Sequence, residues 1–127
     1  MFDKRSILIV DADAYLAGIY ARRFEQGRWR VSVAESVEEG KRALDKKIHD
    51  AIIIDVETVD GSLAFVRELH GNPAYASMAI IVLTRLGDRE SIEQAYAAGA
   101  DSYLLKGHFV PSEVRNKVEQ LVSQAEV

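Results

Sequence analysis

Apolar and polar positions alternate along this chain in two rhythms. Short continuous apolar runs, Ile7-Leu8-Ile9-Val10, Arg30 to Ala34, Asp50 to Ile54, Ala79 to Leu83 and Ser102 to Leu105, have strand length. Between and after them, apolar residues recur at helical steps, as in Leu16, Ile19, Tyr20 and Phe24. A strand-then-helix rhythm repeated five times predicts parallel strands joined by crossover helices, an α/β fold in the order βαβαβαβαβα.

Local signals mark the helix boundaries. Ser36 with Glu39 forms a capping box that opens the second helix, whose apolar side carries Val37, Ala43 and Leu44. Asp60-Gly61 precedes a third helix with Leu63, Phe65, Val66 and Leu69, which closes near Gly71-Asn72-Pro73. Asp88 is the expected N-cap of a fourth helix presenting Ile92, Ala95 and Tyr96 to the core, and Gly99 its left-handed stop. Gly27 is expected to stop the first helix at its C-terminal end. Pro111 suits the first position of the last helix, which is striped by Val114, Val118, Leu121 and Val122.

Composition narrows the class. At 127 residues and 48% hydrophobic, the chain reads as one domain over 1–127 with a single core. Its net charge of −4 argues against a nucleic-acid-binding surface. With no membrane-length apolar run and no leader-like segment in the first five residues, a cytoplasmic location is expected. Cysteine is absent, so thiolate chemistry, disulfides and zinc-thiolate sites are excluded. His49, His70 and His108 lack ligand spacing and are expected on the surface, whereas Trp29 is expected to pack over the first helix.

The chemistry gathers at the strand ends. In a parallel sheet the carboxyl tips share one edge, where such sheets bind ligands. The tips here carry Asp11, Asp55, Thr84 and Lys106. Two crowded carboxylates need a cation between them or raised pKa values. Magnesium is the natural bridging ion, and Lys106 adds a fixed positive charge. A carboxylate nucleophile beside a metal, a hydroxyl and an ammonium is suited to accepting a phosphoryl group.

These motifs, Ile7 to Asp11, Asp50 to Asp55, Ile80 to Thr84 and Ala98 to Lys106, resemble the response-regulator receiver domains of two-component signalling from about Ser6 to Leu121. The resemblance implies a flavodoxin-like doubly wound sheet, strand order 2-1-3-4-5, with Asp55 as phosphoacceptor. Magnesium would be held by Asp11, Asp55 and the Glu57 backbone carbonyl. Thr84 would reach the phosphoryl oxygen and Lys106 pair with it. Tyr103 would be the aromatic partner of Thr84, rotating inward on phosphorylation and reshaping the face of the fourth helix, fifth strand and fifth helix. It could equally be a half-buried edge aromatic. The implied partners are a histidine kinase or phosphotransfer protein and a downstream protein. The mixed charges of Arg89, Glu90, Glu93, Asp101, Arg115 and Lys117 fit either a homodimer seam or solvated surface.

The chain departs from the family pattern at four places. Ala12 stands where a second, metal-touching acid is usual, so magnesium is expected to bind weakly. Asp13 is then either the N-cap of the first helix or a displaced metal ligand. The loop Val56-Glu57-Thr58-Val59-Asp60-Gly61 is shorter than the family's and lacks its proline, and Gly107 replaces another proline. Arg85 replaces a small residue and either points to solvent, shields the site or binds phosphate. These departures leave a second expectation, a docking module that works without phosphorylation. Asp11-Ala12-Asp13 also resembles the first motif of the haloacid dehalogenase phosphohydrolases, with Asp11 as nucleophile. That family's acidic pair beyond the lysine is missing, since only Glu113, Glu119 and Glu126 follow Lys106.

Overall fold

A computed structural model describes residues 4–125; residues 1–3, within the stretch considered above for a leader, and residues 126–127, which include Glu126, lie outside the described residues. Five parallel strands, β1 (Ser6–Val10), β2 (Arg30–Ala34), β3 (Ala51–Ile54), β4 (Ala79–Thr84) and β5 (Ser102–Leu105), form one sheet in the order β2-β1-β3-β4-β5. Each strand leads into a helix: α1 (Ala14–Gln26), α2 (Val37–Lys46), α3 (Ser62–Gly71), α4 (Arg89–Ala98) and α5 (Pro111–Ala125). The 2-1-3-4-5 order anticipated above is the observed one.

Both faces of the sheet are covered, which is why β1 and β3 read as unbroken apolar runs. Ile7, Ile9, Ile53, Ile81 and Leu83 pack under α1 and α5 with Phe24, Val114 and Val118. Leu8, Val10, Ile52, Ile54 and Ile80 pack on the opposite side with Leu44, Phe65, Val66 and Leu69. Trp29 is buried as expected. Its ring meets Phe24 edge-on at 5.4 Å, and its indole N–H donates to Glu119 Oε2 at 3.1 Å, tying the start of β2 to α5.

The caps largely follow the local chemistry. Asp88 accepts the Ser91 N–H at 3.0 Å, Ser36 accepts the Glu39 N–H at 3.2 Å, and Gly99 closes α4 at φ +118°. The return bond of the Ser36 box lands one residue early, because Glu39 Oε2 accepts from the Glu35 amide at 2.7 Å. Gly27 closes α1 as its C-cap, as expected, at φ −85°, and the left-handed residue that follows is Arg28 at φ +70°. A side chain at Gly27 would press on α5, where a Cβ would lie 2.9 Å from Arg115 Cδ. Tyr96 also differs from expectation. Ala95 fills the core position while Tyr96 faces solvent beside Tyr103, with ring centroids 6.5 Å apart.

His49 is buried rather than superficial. Its Nδ1–H donates to the Lys47 carbonyl at 2.9 Å, leaving Nε2 to accept the Ser32 hydroxyl at 3.3 Å. Burial, reinforced by the charge of Lys47, pushes the imidazole pKa below its ordinary value. The unfolded ring protonates near pH 6.5 while the folded one resists, so the unfolded state binds more protons and stability falls as pH drops through about 6.5 toward 5. Denaturant unfolding at about pH 7.5 and 5.5 is expected to show a smaller acid-side loss in His49→Gln than in the wild type.

Candidate functional site

The sheet register sets the site. Val10 pairs with Ile54, so Asp11 and Asp55 leave adjacent strands side by side; Thr84 pairs with Leu105, so Lys106 follows directly beside β4. Ladder-like bonds continue past the strand ends and hold these tips in place. The Asp55 N–H donates to the Val10 carbonyl at 3.0 Å and the Lys106 N–H to the Thr84 carbonyl at 2.9 Å.

The structure brings Asp11, Asp55, Thr84 and Lys106 to one point. Lys106 Nζ lies 2.8 Å from Asp11 Oδ2 and 2.8 Å from Asp55 Oδ2, and all three side chains are almost wholly buried, at 6%, 4% and 1% exposure. Burial by itself would raise the Asp55 pKa. The Lys106 ammonium, the Glu57 amide and the Thr84 hydroxyl outweigh it, so the carboxyl is held below the ordinary carboxylate range. Burial would likewise lower the Lys106 pKa, but bonds to Asp11 and Asp55 leave it raised. The acceptor candidate is therefore ionised at neutral pH and faces a full positive charge.

Backbone amides orient both acids. Asp13 N–H donates to Asp11 Oδ1 at 2.9 Å, and Glu57 N–H donates to Asp55 Oδ1 at 2.9 Å. The Glu57 side chain is exposed. Asp13 is the N-cap of α1, with Oδ1 accepting the Leu16 N–H at 3.1 Å, while its Oδ2 lies 3.9 Å from Arg85 Nη2. Arg85, 64% exposed in its side chain, thus leans from the end of β4 toward the start of α1. Tyr103 is half-buried, and its hydroxyl donates to the Leu86 carbonyl at 2.6 Å. Thr84 is fully buried and its Oγ1 receives the Leu86 N–H at 3.4 Å, so Leu86 links the two.

One contributor was not anticipated from the sequence. Thr58 Oγ1 sits 3.0 Å from Asp55 Oδ2 and 3.1 Å from Asp11 Oδ1, and accepts the Ala12 N–H at 3.2 Å. The only signal for it was the coincidence of a methyl at position 12 with a hydroxyl in the loop after Asp55. Among the described residues, no three His, Cys, Asp or Glu side chains cluster so as to hold a metal ion. The hard oxygens of Asp11 and Asp55 still suit magnesium chemically, as a pair of carboxylates whose remaining ligands would be backbone oxygen and water.

A family model described as "Response regulator receiver domain" matches residues 7–119. The chain is 30% identical over 93 residues to the gliding motility regulatory protein of Myxococcus xanthus, covering 72% of this chain and 12% of that protein. It is 29% identical over 123 residues to the photosynthetic apparatus regulatory protein RegA of Rhodobacter capsulatus, covering 96% of this chain and 64% of RegA. The chain therefore spans less than two thirds of either relative. The crystal structure of a CheY-like receiver domain protein from Methanospirillum hungatei JF-1 superposes with a TM-score of 0.88 at 22% identity, over 98% of each chain, and so shares the fold. Among the described residues, no helix is long and apolar enough to cross a membrane. With the tips of β1, β3, β4 and β5 converging as they do and the match spanning nearly the whole chain, this protein belongs to the response regulator receiver domains of two-component systems, a family of signalling modules rather than enzymes.

Proposed function

We propose that Asp55 accepts a phosphoryl group from the phosphohistidine of a histidine kinase or phosphotransfer protein, and that the modified domain signals to a downstream protein through α4, β5 and α5. The observation that carries this reading is Lys106 Nζ seated 2.8 Å from both aspartates. A deprotonated Asp55 oxygen attacks phosphorus as the donor P–N bond breaks, and the electron pair leaves with the imidazole. The product is an acyl phosphate on Asp55. Phosphoryl transfer needs alignment and charge neutralisation more than bond-making from the protein. Lys106 supplies a positive charge at the acceptor, and the Glu57 amide fixes Asp55 Oδ1, leaving Oδ2, beside the Lys106 ammonium, as the attacking oxygen.

Asp11, Asp55 and the Glu57 carbonyl would hold magnesium, which when bound supplies further positive charge for phosphoryl oxygens. With Ala12 contributing no oxygen, that hold is weaker than in a site with an additional carboxylate. Arg85, which contacts Asp13 at 3.9 Å, would meet two phosphoryl oxygens with its guanidinium fork on releasing that acid. Thr84 is the group at the end of β4 that turns toward the new phosphoryl oxygen. Tyr103 then follows it inward, giving up its bond to the Leu86 carbonyl.

A second reading, a docking module that works without phosphorylation, is favoured by the methyl at Ala12 and by carboxylates that are already paired internally. Mass spectrometry after incubation with acetyl phosphate and magnesium, or with a cognate kinase, separates the two. One added phosphoryl group in the wild type and none in Asp55→Asn is the expected result. No gain from any donor would leave the docking module as the function.

A further inference from the structure

Thr58 plays no part in the phosphoryl chemistry above, yet its hydroxyl lies between the two carboxylates on which that chemistry depends. A hydroxyl has one proton to donate and lone pairs to accept with. Here the Ala12 N–H occupies a lone pair, so the proton is directed at Asp11 Oδ1 and Asp55 Oδ2. The Asp13 amide holds Asp11 Oδ1, the Glu57 amide holds Asp55 Oδ1, and Lys106 holds both Oδ2 atoms. All four carboxylate oxygens therefore already have protein partners. The hydroxyl lies against the backbone of Ala12, whose own side chain brings no oxygen to the carboxylates.

We propose that Thr58 is a positioning residue that closes the aspartate pair from the loop side, and that its hydroxyl must withdraw before a divalent cation can use the Asp11 and Asp55 oxygens it holds. The inference rests on the reading of those acids as the cation-binding pair and deepens it. A cation needs the lone pairs that a donated proton occupies, and magnesium gives up its own water reluctantly, so the hydroxyl and the ion compete for the same oxygens. Lys106 alone reaches only the two Oδ2 atoms; the Thr58 hydroxyl adds a second donor to Asp55 Oδ2 and, beside the Asp13 amide, a second donor to Asp11 Oδ1.

The test is a magnesium titration of the full chain without any phosphoryl donor, followed by amide NMR shifts at Asp11 to Asp13 and Asp55 to Glu57, with manganese broadening to locate the ion. Thr58→Ala is expected to bind magnesium about tenfold more tightly than the wild type, the weight of one hydrogen bond to a charged group. Thr58→Ser, which restores the hydroxyl, should bind like the wild type. Equal or weaker binding by Thr58→Ala would overturn the inference, since the hydroxyl would then be a bystander or a metal ligand. Tight binding by Thr58→Ser would do the same, as would the absence of shifts at the strand tips in every variant. Because no donor is present, failure of Asp55 to be phosphorylated does not affect any of these outcomes.

Discussion

Replacing Lys106 by Met is expected to destabilise the fold by about 3–5 kcal/mol at neutral pH, the cost of breaking a buried ion pair by removing one partner. Met keeps nearly the same length and volume, so the packing is retained and the change isolates the charge. In the wild type the ammonium lies 2.8 Å from each aspartate in surroundings almost closed to water. Without it, Asp11 and Asp55 face one another with the Thr58 and Thr84 hydroxyls and two amides as the remaining donors. The pH dependence should identify the cause. In the wild type the Asp55 pKa is depressed, so its contribution is present above the unfolded carboxyl value near 4 and lost as pH falls through the folded value. In Lys106→Met, burial and the neighbouring charge raise that pKa, and the folded state takes up a proton readily. The gap between the two proteins should therefore be widest near pH 7 and narrow as pH falls toward 4. Adding Asp11→Asn to the lysine variant removes the like-charge repulsion and should restore part of the loss in a double-mutant cycle. A loss below about 1 kcal/mol in urea unfolding would show that the lysine does not carry this pair.

Gly99→Ala is expected to cost about 3 kcal/mol, or roughly a 10 °C fall in Tm. Two independent effects meet at this residue. Its φ of +118° lies in the region that L side chains rarely adopt, which costs about 1–3 kcal/mol for a non-glycine residue. A Cβ there would also collide with the Cβ and Cγ of His70 and come within 2.8 Å of its Cδ2, where α3 packs beside α4. Adding His70→Ala removes the ring but leaves its Cβ and the backbone strain, so only part of the loss should return. Calorimetry showing a fall of less than about 3 °C would mean that this turn relaxes freely.

The contrast between the two effects at Gly99 runs through the whole molecule. That α4 needs a left-handed stop is a local matter, readable from the end of its apolar rhythm and the glycine that follows. That His70 lies against the spot depends on how α3 and α4 pack together. The same division holds in the site. Each strand tip was legible on its own, because an apolar run ending on Asp11, Asp55, Thr84 or Lys106 is a pattern in neighbouring residues. Their meeting was legible too, since parallel strands put equivalent ends on one edge.

What the chain's local patterns determined, then, is five alternating units, most of their caps and the four tip residues, because periodicity and capping act over a few neighbouring positions. What only tertiary packing decided is which groups share an atom: Lys106 dividing itself between two carboxylates, Thr58 filling the space beside Ala12, and Arg85 facing Asp13. The same holds for His49 sealed against Ser32, Arg28 taking the left-handed turn after Gly27, and Tyr96 turned outward. Hydrogen bonds and close packing are set by distances of a few tenths of an ångström between residues far apart in the chain, and those distances exist only once the sheet and its helices have come together.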